Sequence, residues 1–188
     1  MAKAPSPQSI RQVPASALHQ TDPHFTHYFS TTFCQQVVRK SDNKTYALKR
    51  VKMNKMSKKE ISDALNEVRF LASIRHPNIV AFHEAFVDTP DSELCVIMEY
   101  CGCGDLAQKV ERYKRRRQYM NEDVIWLYLI QVSRALQLLH AKGICHRDLK
   151  AANTFLGEDG SVKIGDMNVS KQLKYGPLNT QIGTPYYM

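Results

Sequence analysis

The first 101 residues of this chain contain no glycine, and all eight glycines lie at Gly102 or later. Glycine lets backbone amides approach a phosphate closely, so the first half of the chain lacks the usual material of a phosphate-binding loop. The five cysteines are an odd number without a recurring spacing, which excludes a disulfide framework and indicates reduced, mostly buried thiols. No second Cys/His pair at ligand spacing follows Cys101 and Cys103, which argues against a zinc site.

Long apolar runs are also scarce. We expect no stretch that crosses a bilayer, and residues 1–14 lack the apolar core of a signal peptide. A cytoplasmic or nuclear location without membrane association is therefore expected. The net charge of +8 is compatible with acidic partners, but no recognition motif accompanies it, so we expect no nucleic-acid partner. The densest basic run, residues 114–117, is typical of a solvated helix face or loop.

The composition, 43% hydrophobic and 23% charged over 188 residues, fits a globular protein with a sizeable core. Residues 1–24 are rich in proline and polar side chains, which predicts a disordered tail. Residues 33–40 and 45–53 follow as a predicted hairpin around a polar turn. A capping box at residues 57–60 then predicts a helix that ends before Pro77.

Two further strands are predicted over residues 79–87 and 94–100, before Gly102 and Gly104 break the pattern. Asn121 and Gly143 are suitable caps for a long helix over residues 122–142. A small hairpin over 154–156 and 162–164 follows. This order predicts an α+β fold in two lobes, with a small β-rich lobe of one main helix (about 25–100), a hinge (about 99–104) and the start of a mainly helical lobe (105–188).

Residues 146–153 carry the most specific motif, His-Arg-Asp-Leu-Lys-Ala-Ala-Asn, between the predicted helix and hairpin. It resembles the catalytic loop of protein kinases, with every fixed position present. The resemblance implies that Asp148 accepts the proton of a substrate hydroxyl and that Lys150 offsets charge on the transferring phosphate. A lysine at this position also marks the serine/threonine type. Asn153 would bind Mg²⁺ through its amide oxygen.

Residues 166–168, Asp-Met-Asn, stand where the family has Asp-Phe-Gly. Asp166 would hold Mg²⁺ between the nucleotide phosphates. Met167 is apolar and deformable enough to replace a packing phenylalanine, and Asn168 tolerates the positive φ of the glycine it replaces. The metal ligand is therefore kept, while the switching of this loop is altered.

Two segments resemble the family's ATP-binding elements. Residues 46–49 are similar to the strand that presents a lysine, here Lys49, to the α and β phosphates. Glu67 lies on the flank of the predicted helix and would be the partner of Lys49 in an ion pair.

Residues 94–104 resemble the hinge. Met98 would back the adenine pocket, while the carbonyl of Glu99 and the amide of Cys101 would bond adenine. Asp105 either lies near the ribose or the peptide or simply starts the next helix.

Residues 183–187, Gly-Thr-Pro-Tyr-Tyr, resemble the end of an activation loop. The resemblance implies that Thr184 contacts Asp148 and Lys150, and that Thr180 is phosphorylated. A phosphate on Thr180 would then pair with Arg147 and order the loop.

Within the protein kinases, the chain resembles the NIMA-related family through residues 63–68, 74–79, 98–101 and 183–187. The resemblance spans roughly residues 37–188. It implies ATP- and Mg²⁺-dependent phosphorylation of serine or threonine in protein substrates. Microtubule, ciliary and cell-cycle proteins are the implied partners, and the cytoskeleton, cilium or nucleus are the implied alternatives to a cytoplasmic location.

The chain departs from the family in two ways. Residues 30–36, where the glycine-rich loop belongs, contain no glycine, and the elements that follow the activation loop in the family do not follow here. We therefore expect a partial, truncated kinase domain with impaired nucleotide alignment. The alternative is a pseudokinase-like or truncated binding module without phosphoryl transfer.

Overall fold

The computed structural model describes residues 18–20, 27–29, 32–54, 56–57, 59, 61–62, 64, 68, 71–88, 92–166 and 171–172. Side-chain surroundings are described from Gln35 to Asp166 within this set. The chain divides into two compact units. The first comprises the described residues up to Ile74 together with Ala81–Tyr100, and the second comprises Arg75–Val80 and the described residues from Cys101 onward.

The first unit is built on a six-stranded antiparallel sheet in the order β1-β3-β4-β6-β5, with β2 also paired to β3. Alternating residues of β4, such as Tyr46 and Leu48, are buried, as the period of a half-buried strand requires. They pack with apolar residues of the neighbouring strands. The strands are β1 (Leu18–Gln20), β2 (His27–Phe29), β3 (Thr32–Arg39), β4 (Thr45–Lys52), β5 (Phe82–Asp88) and β6 (Glu93–Glu99).

The predicted strands of this unit agree with the structure, with two differences. Strand β5 begins at Phe82 rather than at residue 79, because Ile79 and Val80 pair with another strand in the second unit. Three residues of the predicted tail, Leu18–Gln20, form β1, because β3 offers them an edge for backbone pairing. The rest of that predicted tail lies outside the described residues.

The polar turn between β3 and β4 is stabilised locally. Asp42 pairs with Arg39 and also accepts a hydrogen bond from the amide of Lys44 at 3.2 Å. The hydrogen bond from Arg39 lowers the pKa of Asp42 to about 2. Asn43 has a φ of 55°, a conformation that asparagine tolerates better than most residues. These features explain why a tight turn forms between the two strands.

The predicted helix after residue 57 is present wherever the structure describes that segment. Lys59, Ile61, Ala64, Val68 and Leu71 are among its helical residues. The amide of Ile61 donates to the carbonyl of Ser57 at 3.0 Å, which places the start at the predicted capping box. Val68 is 7% exposed and packs on the sheet with two residues of β6, so the helix covers one sheet face.

The second unit contains two helices, α1 (Leu106–Arg115) and α2 (Glu122–Ala141). Asn121 accepts a hydrogen bond from the amide of Asp123 at 2.8 Å, and Gly143 has a φ of +70°, as the predicted caps of α2 require. Short strands complete the unit: β7 (Ile144–Cys145), β8 (Thr154–Leu156), β9 (Val162–Ile164) and β10 (Lys171–Gln172). Strands β8 and β9 form the predicted hairpin.

Helix α2 contradicts the expectation that no stretch is long and apolar enough to span a bilayer. It has 20 residues, and an 18-residue stretch within it has a mean hydropathy of 1.2, which satisfies that test by length and composition. A packing helix passes the same test, and α2 packs within its unit through Tyr128, Ala135 and Leu139. Its opposite side is an apolar face about half exposed, consisting of Ile125, Trp126, Leu127, Leu129 and Ile130. The absence of a membrane partner stays a prediction.

The segment Arg75–Val80 joins the second unit because Asn78 anchors it there. The Asn78 side chain is 7% exposed and donates to the carbonyl of Val162 at 2.9 Å and to Oε1 of Gln131 at 2.7 Å. The same Gln131 oxygen accepts from the amide of Val162 at 2.8 Å. The backbone of the segment pairs with Ile164 on both sides. One buried amide therefore joins this segment, α2 and β9.

We expect Asn78→Ala to lower the free energy of unfolding by about 1–3 kcal/mol, because it leaves the buried Val162 carbonyl without its donor. Urea unfolding followed by circular dichroism measures the change. The matched control is Asn54→Ala at an exposed turn residue, which should change stability by less than about 0.5 kcal/mol. Equal effects of both substitutions would contradict the anchoring role of Asn78.

Candidate active site

The motif at residues 146–153 is held in place by a buried histidine. His146 is 2% exposed, and its Nε2 lies 3.0 Å from the carbonyl oxygen of Gly165. Its Nδ1 accepts a long hydrogen bond, 3.4 Å, from the amide of Asp148. One donating and one accepting nitrogen describe a neutral imidazole. Burial lowers the pKa of His146, which outweighs the opposing effect of the Gly165 carbonyl and favours the same neutral form.

The two predicted catalytic residues and one predicted metal ligand meet at one carboxylate oxygen. Oδ2 of Asp148 accepts from the Nδ2 of Asn153 at 2.8 Å and lies 2.9 Å from the Nζ of Lys150. The Asn153 amide also donates to the main-chain carbonyl of Asp148 at 2.9 Å. The side chains of Asp148 and Lys150 are each 16% exposed, so both groups reach the surface. The arrangement holds a carboxylate and an ammonium group side by side in a fixed orientation.

The two predicted metal ligands, Asn153 and Asp166, are linked through the backbone. Asn153 is 3% exposed, and its main-chain carbonyl accepts from the amide of Gly165, next to Asp166, at 3.0 Å. Since the Asn153 side chain donates through Nδ2, its amide oxygen is left as an acceptor with no hydrogen-bond partner among the described residues. An amide oxygen and a carboxylate are the hard donors that Mg²⁺ prefers. The residues present therefore fit a divalent cation.

Two site residues have left-handed backbone conformations. Arg147 has a φ of 67° and Asp166 a φ of 54°. Such conformations cost about 1–3 kcal/mol each and persist only where the surroundings impose them. The surroundings are tightly packed beside Asp166, because a Cβ on the preceding Gly165 would lie 2.9 Å from side-chain atoms of Phe155 and Val80. Sequence reasoning missed Gly165, although its position directly before Asp166 was a usable signal.

Asp105 starts α1, which was one of its two predicted roles. Its carboxylate accepts from the amide of Gln108 at 2.8 Å, and the residue is 8% exposed. This is an N-cap contact. A role of Asp105 near the nucleotide stays a prediction.

Three of the other predicted ATP-binding residues, Lys49, Met98 and Glu99, lie on the sheet of the first unit. Lys49 is on β4, opposite Cys34 on β3 and Val96 on β6. Met98 and Glu99 end β6, where Oε2 of Glu99 accepts from the amide of Ala81 at 3.1 Å. Cys101 is the next residue but one after Glu99 and belongs to the second unit. Glu67, Met167, Asn168, Thr180 and Thr184 lie outside the described residues.

The sequence matches the family model of the protein kinase domain over residues 30–188. The chain belongs to the protein kinase family. The fold class is therefore confirmed as that of a kinase domain, with a β-sheet lobe and its helix followed by the start of a helical lobe.

Its relatives include serine/threonine kinases of the NIMA-related group, to which the chain is similar over most of its length. A probable serine/threonine-protein kinase nek2 of Dictyostelium discoideum is 39% identical over 157 residues, covering 81% of this chain and 38% of that protein. Serine/threonine-protein kinase Nek2 of Mus musculus is 35% identical over 162 residues, covering 82% and 37%. The G2-specific protein kinase nimA of Emericella nidulans is 36% identical over 182 residues, covering 82% and 26%. The chain thus spans less than two fifths of these relatives' lengths.

The lowered pKa of His146 predicts a pH dependence of stability. Because His146 is harder to protonate in the folded protein, the unfolded protein binds more protons as the pH falls below about 6.5, and the free energy of unfolding decreases. Its contribution is therefore complete above that pH and is lost towards the lower, folded pKa. We expect His146→Asn to flatten the fall of the unfolding free energy between pH 7.5 and about 5.

Urea unfolding at several pH values measures this slope. Burial also lowers the pKa values of His76 and His83, so these residues contribute to the slope in every variant. The informative quantity is therefore the difference in slope between His146→Asn and the wild type. The control is His140→Gln on the exposed end of α2, which should keep the wild-type slope. An unchanged slope in His146→Asn would contradict a buried neutral imidazole.

Proposed function

We propose that this chain is an ATP-dependent protein serine/threonine kinase that transfers the γ-phosphate of ATP to protein hydroxyl groups. The observation that carries the proposal is the contact of Asp148 with both Lys150 and Asn153 in the catalytic-loop motif. Family membership supplies the reaction type and implies ATP, a divalent metal and a protein substrate.

Phosphoryl transfer depends mainly on positioning and on charge stabilisation. Asp148 orients the substrate hydroxyl and accepts its proton at the carboxylate, whose direction is fixed by the amide of Asn153. Lys150, 2.9 Å from that carboxylate, places a positive charge where negative charge develops on the transferring phosphate. Neither side chain needs to reorganise during the reaction, because both are already held in place.

Asn153 and Asp166 would hold the divalent cation, which we propose is Mg²⁺. When bound, the cation neutralises charge on the nucleotide phosphates. The support on the protein side is the amide oxygen of Asn153, which has no hydrogen-bond partner among the described residues, and the left-handed backbone conformation of Asp166. Lys49, Glu67, Met98, Glu99 and Cys101 remain proposed nucleotide contacts, on the strength of the family motifs.

Regulation and cellular role follow the family in this proposal. A phosphate on Thr180 would pair with Arg147, and Thr184 would lie beside Asp148 and Lys150. Cell-cycle, microtubule and ciliary proteins are the proposed substrates or partners, in line with the cell-cycle term in the fungal relative's name. The proposed location is cytoplasmic, with the cytoskeleton, cilium or nucleus as alternatives.

One observation favours the alternative of a non-catalytic binding module. No glycine precedes Gly102, so residues 30–36 carry side chains where kinases let backbone amides approach the phosphates. Such a module would keep the fold but transfer no phosphate. The two experiments below separate the alternatives.

We expect Asp148→Asn to lower the rate of phosphate transfer from ATP to a generic protein substrate about 10²–10⁴-fold, the usual contribution of a positioned base. The asparagine keeps the shape of the side chain, so nucleotide affinity should change less than about twofold. Asp159→Asn is the matched control, because Asp159 lies in the exposed β8–β9 turn and an amide oxygen can still accept from Ser161. Wild-type protein without activity above that of Asp148→Asn would favour the binding module.

We expect nucleotide binding to require a divalent cation and to lose that requirement in Asp166→Ala. The reason is that Asp166 would hold the cation, which would neutralise charge on the nucleotide phosphates. Titration of a fluorescent ATP analogue with Mg²⁺ and with a chelator should show at least about tenfold tighter binding with Mg²⁺ in the wild type only. Equal affinities under all conditions would contradict the metal assignment.

A further inference from the structure

An open pocket of about 500 Å³ lies between α1 and the turn that joins β8 to β9, within the second unit. Its walls include none of the proposed catalytic or metal-binding residues. The pocket therefore has a separate chemistry, which is set by the charged side chains of α1.

Three cations of α1 and its C-cap point into the pocket. Lys109, Arg112 and Arg116 all line it, and their spacing of three and four residues places them on one helix face. Arg115, in the same basic run, faces elsewhere and pairs with Glu111 at 3.1 Å. The run at residues 114–117, interpreted from sequence as one solvated surface, is thus divided between an exposed face and a pocket wall.

The three cations differ in their contacts, since Lys109 is held by a neighbouring side chain and the two arginines have no described side-chain partner. Lys109 donates to the hydroxyl of Tyr128 and lies 5.0 Å from the centre of that ring. Tyr128 is 8% exposed and belongs to the core of the unit, so it fixes the lysine at the pocket wall. The guanidinium groups of Arg112 and Arg116 form no ion pair or side-chain hydrogen bond with any described residue. Two bidentate donors are therefore open to an anion.

The opposite wall is the β8–β9 turn. Glu158 is the only acidic residue among the described residues that line the pocket, so the lining carries an excess of two positive charges. Ser161 on this wall donates its main-chain amide to the carboxylate of Asp159 at 2.9 Å, which orders the turn. The turn therefore adds a polar wall to a cationic pocket.

We propose that this pocket binds the phosphorylated side chain of a serine or threonine in a partner peptide. A phosphomonoester carries a charge of about −1.5 to −2 at pH 7, which matches the excess of the lining, whereas a single carboxylate leaves one positive charge unbalanced. Arginine forks bind phosphate oxygens in pairs, and Arg112 and Arg116 both lack other described partners.

The small size of the basic surface favours a single phosphorylated side chain over a nucleic acid as the ligand. Lys109 and Arg116 are seven residues apart, about 10 Å along a helix, and the cations converge on one pocket. A nucleic-acid backbone is followed by a longer basic groove with stacking aromatic side chains. The pocket therefore suits one phosphate group with a short stretch of peptide.

The test is fluorescence anisotropy on the 188-residue chain with three labelled peptides that share one neutral sequence. They carry phosphoserine, serine or glutamate at the centre. We expect binding of the phosphoserine peptide and at least about tenfold weaker binding of the other two. Arg112→Gln together with Arg116→Gln should weaken the phosphopeptide at least about tenfold. Lys114→Gln together with Arg115→Gln removes the same two charges outside the pocket and should change the affinity less than about twofold.

Thiol protection locates the bound peptide independently. Cys103 is exposed and lines the pocket, so saturating phosphopeptide should slow its alkylation, measured by mass spectrometry, while that of Cys145 is unchanged. Circular dichroism confirms that the arginine variants keep their thermal transition. The proposal is overturned if the phosphopeptide does not bind, or if it leaves Cys103 unprotected. It is also overturned if Arg112→Gln/Arg116→Gln binds the phosphopeptide as tightly as the wild type, or if an oligonucleotide of equal charge binds more tightly.

Discussion

The buried amide of Asn153 is the interaction on which the second unit depends. Its two donations to Asp148 hold the loop in a closed turn, and its own carbonyl accepts from Gly165. Gly165 in turn accepts from His146, so the two ends of the loop are joined through one glycine. An unmet buried donor costs about 1–3 kcal/mol, and this network leaves none of these donors unmet. The catalytic geometry is therefore a consequence of how the loop satisfies its own polar groups.

The sequence predicted those parts of the fold whose determinants are local. The caps Asn121 and Gly143 fixed the ends of α2, and alternation along β4 fixed its buried side. The placement of Arg75–Val80 could not be predicted, because it depends on Asn78 reaching Val162, far along the chain. Similarly, the motif places Asp148, Lys150 and Asn153 in one short loop, but nothing local indicated that Asn153 would direct its donors to the carboxylate.

The charged side chains of this chain fall into three groups that differ in what each side chain contacts. Arg39 with Asp42 and Arg115 with Glu111 are local pairs at exposed positions, and such pairs stabilise little. Lys150 is different, because its side chain is largely covered and lies against the carboxylate of Asp148. Arg112 and Arg116 form a third kind, since they line a pocket without a described partner. A count of basic residues cannot distinguish these three kinds, because the difference lies in what each side chain contacts.

The glycine-free segment, residues 30–36, and the intact catalytic-loop motif belong to different units, so their effects on nucleotide binding and on phosphate transfer can be considered separately. By the family pattern, residues 30–36 would govern how closely a backbone can approach the nucleotide phosphates, which is a matter of affinity and alignment. In the proposed kinase, the contacts among Asp148, Lys150 and Asn153 would govern charge and proton transfer once the phosphate is in place, and these contacts lie entirely in the second unit. A loss in the first unit should therefore weaken binding and alignment without altering the chemistry of the second. In kinetic terms, such a protein has a high KM for ATP and still depends on Asp148, whereas a binding module shows no dependence on Asp148 at any nucleotide concentration.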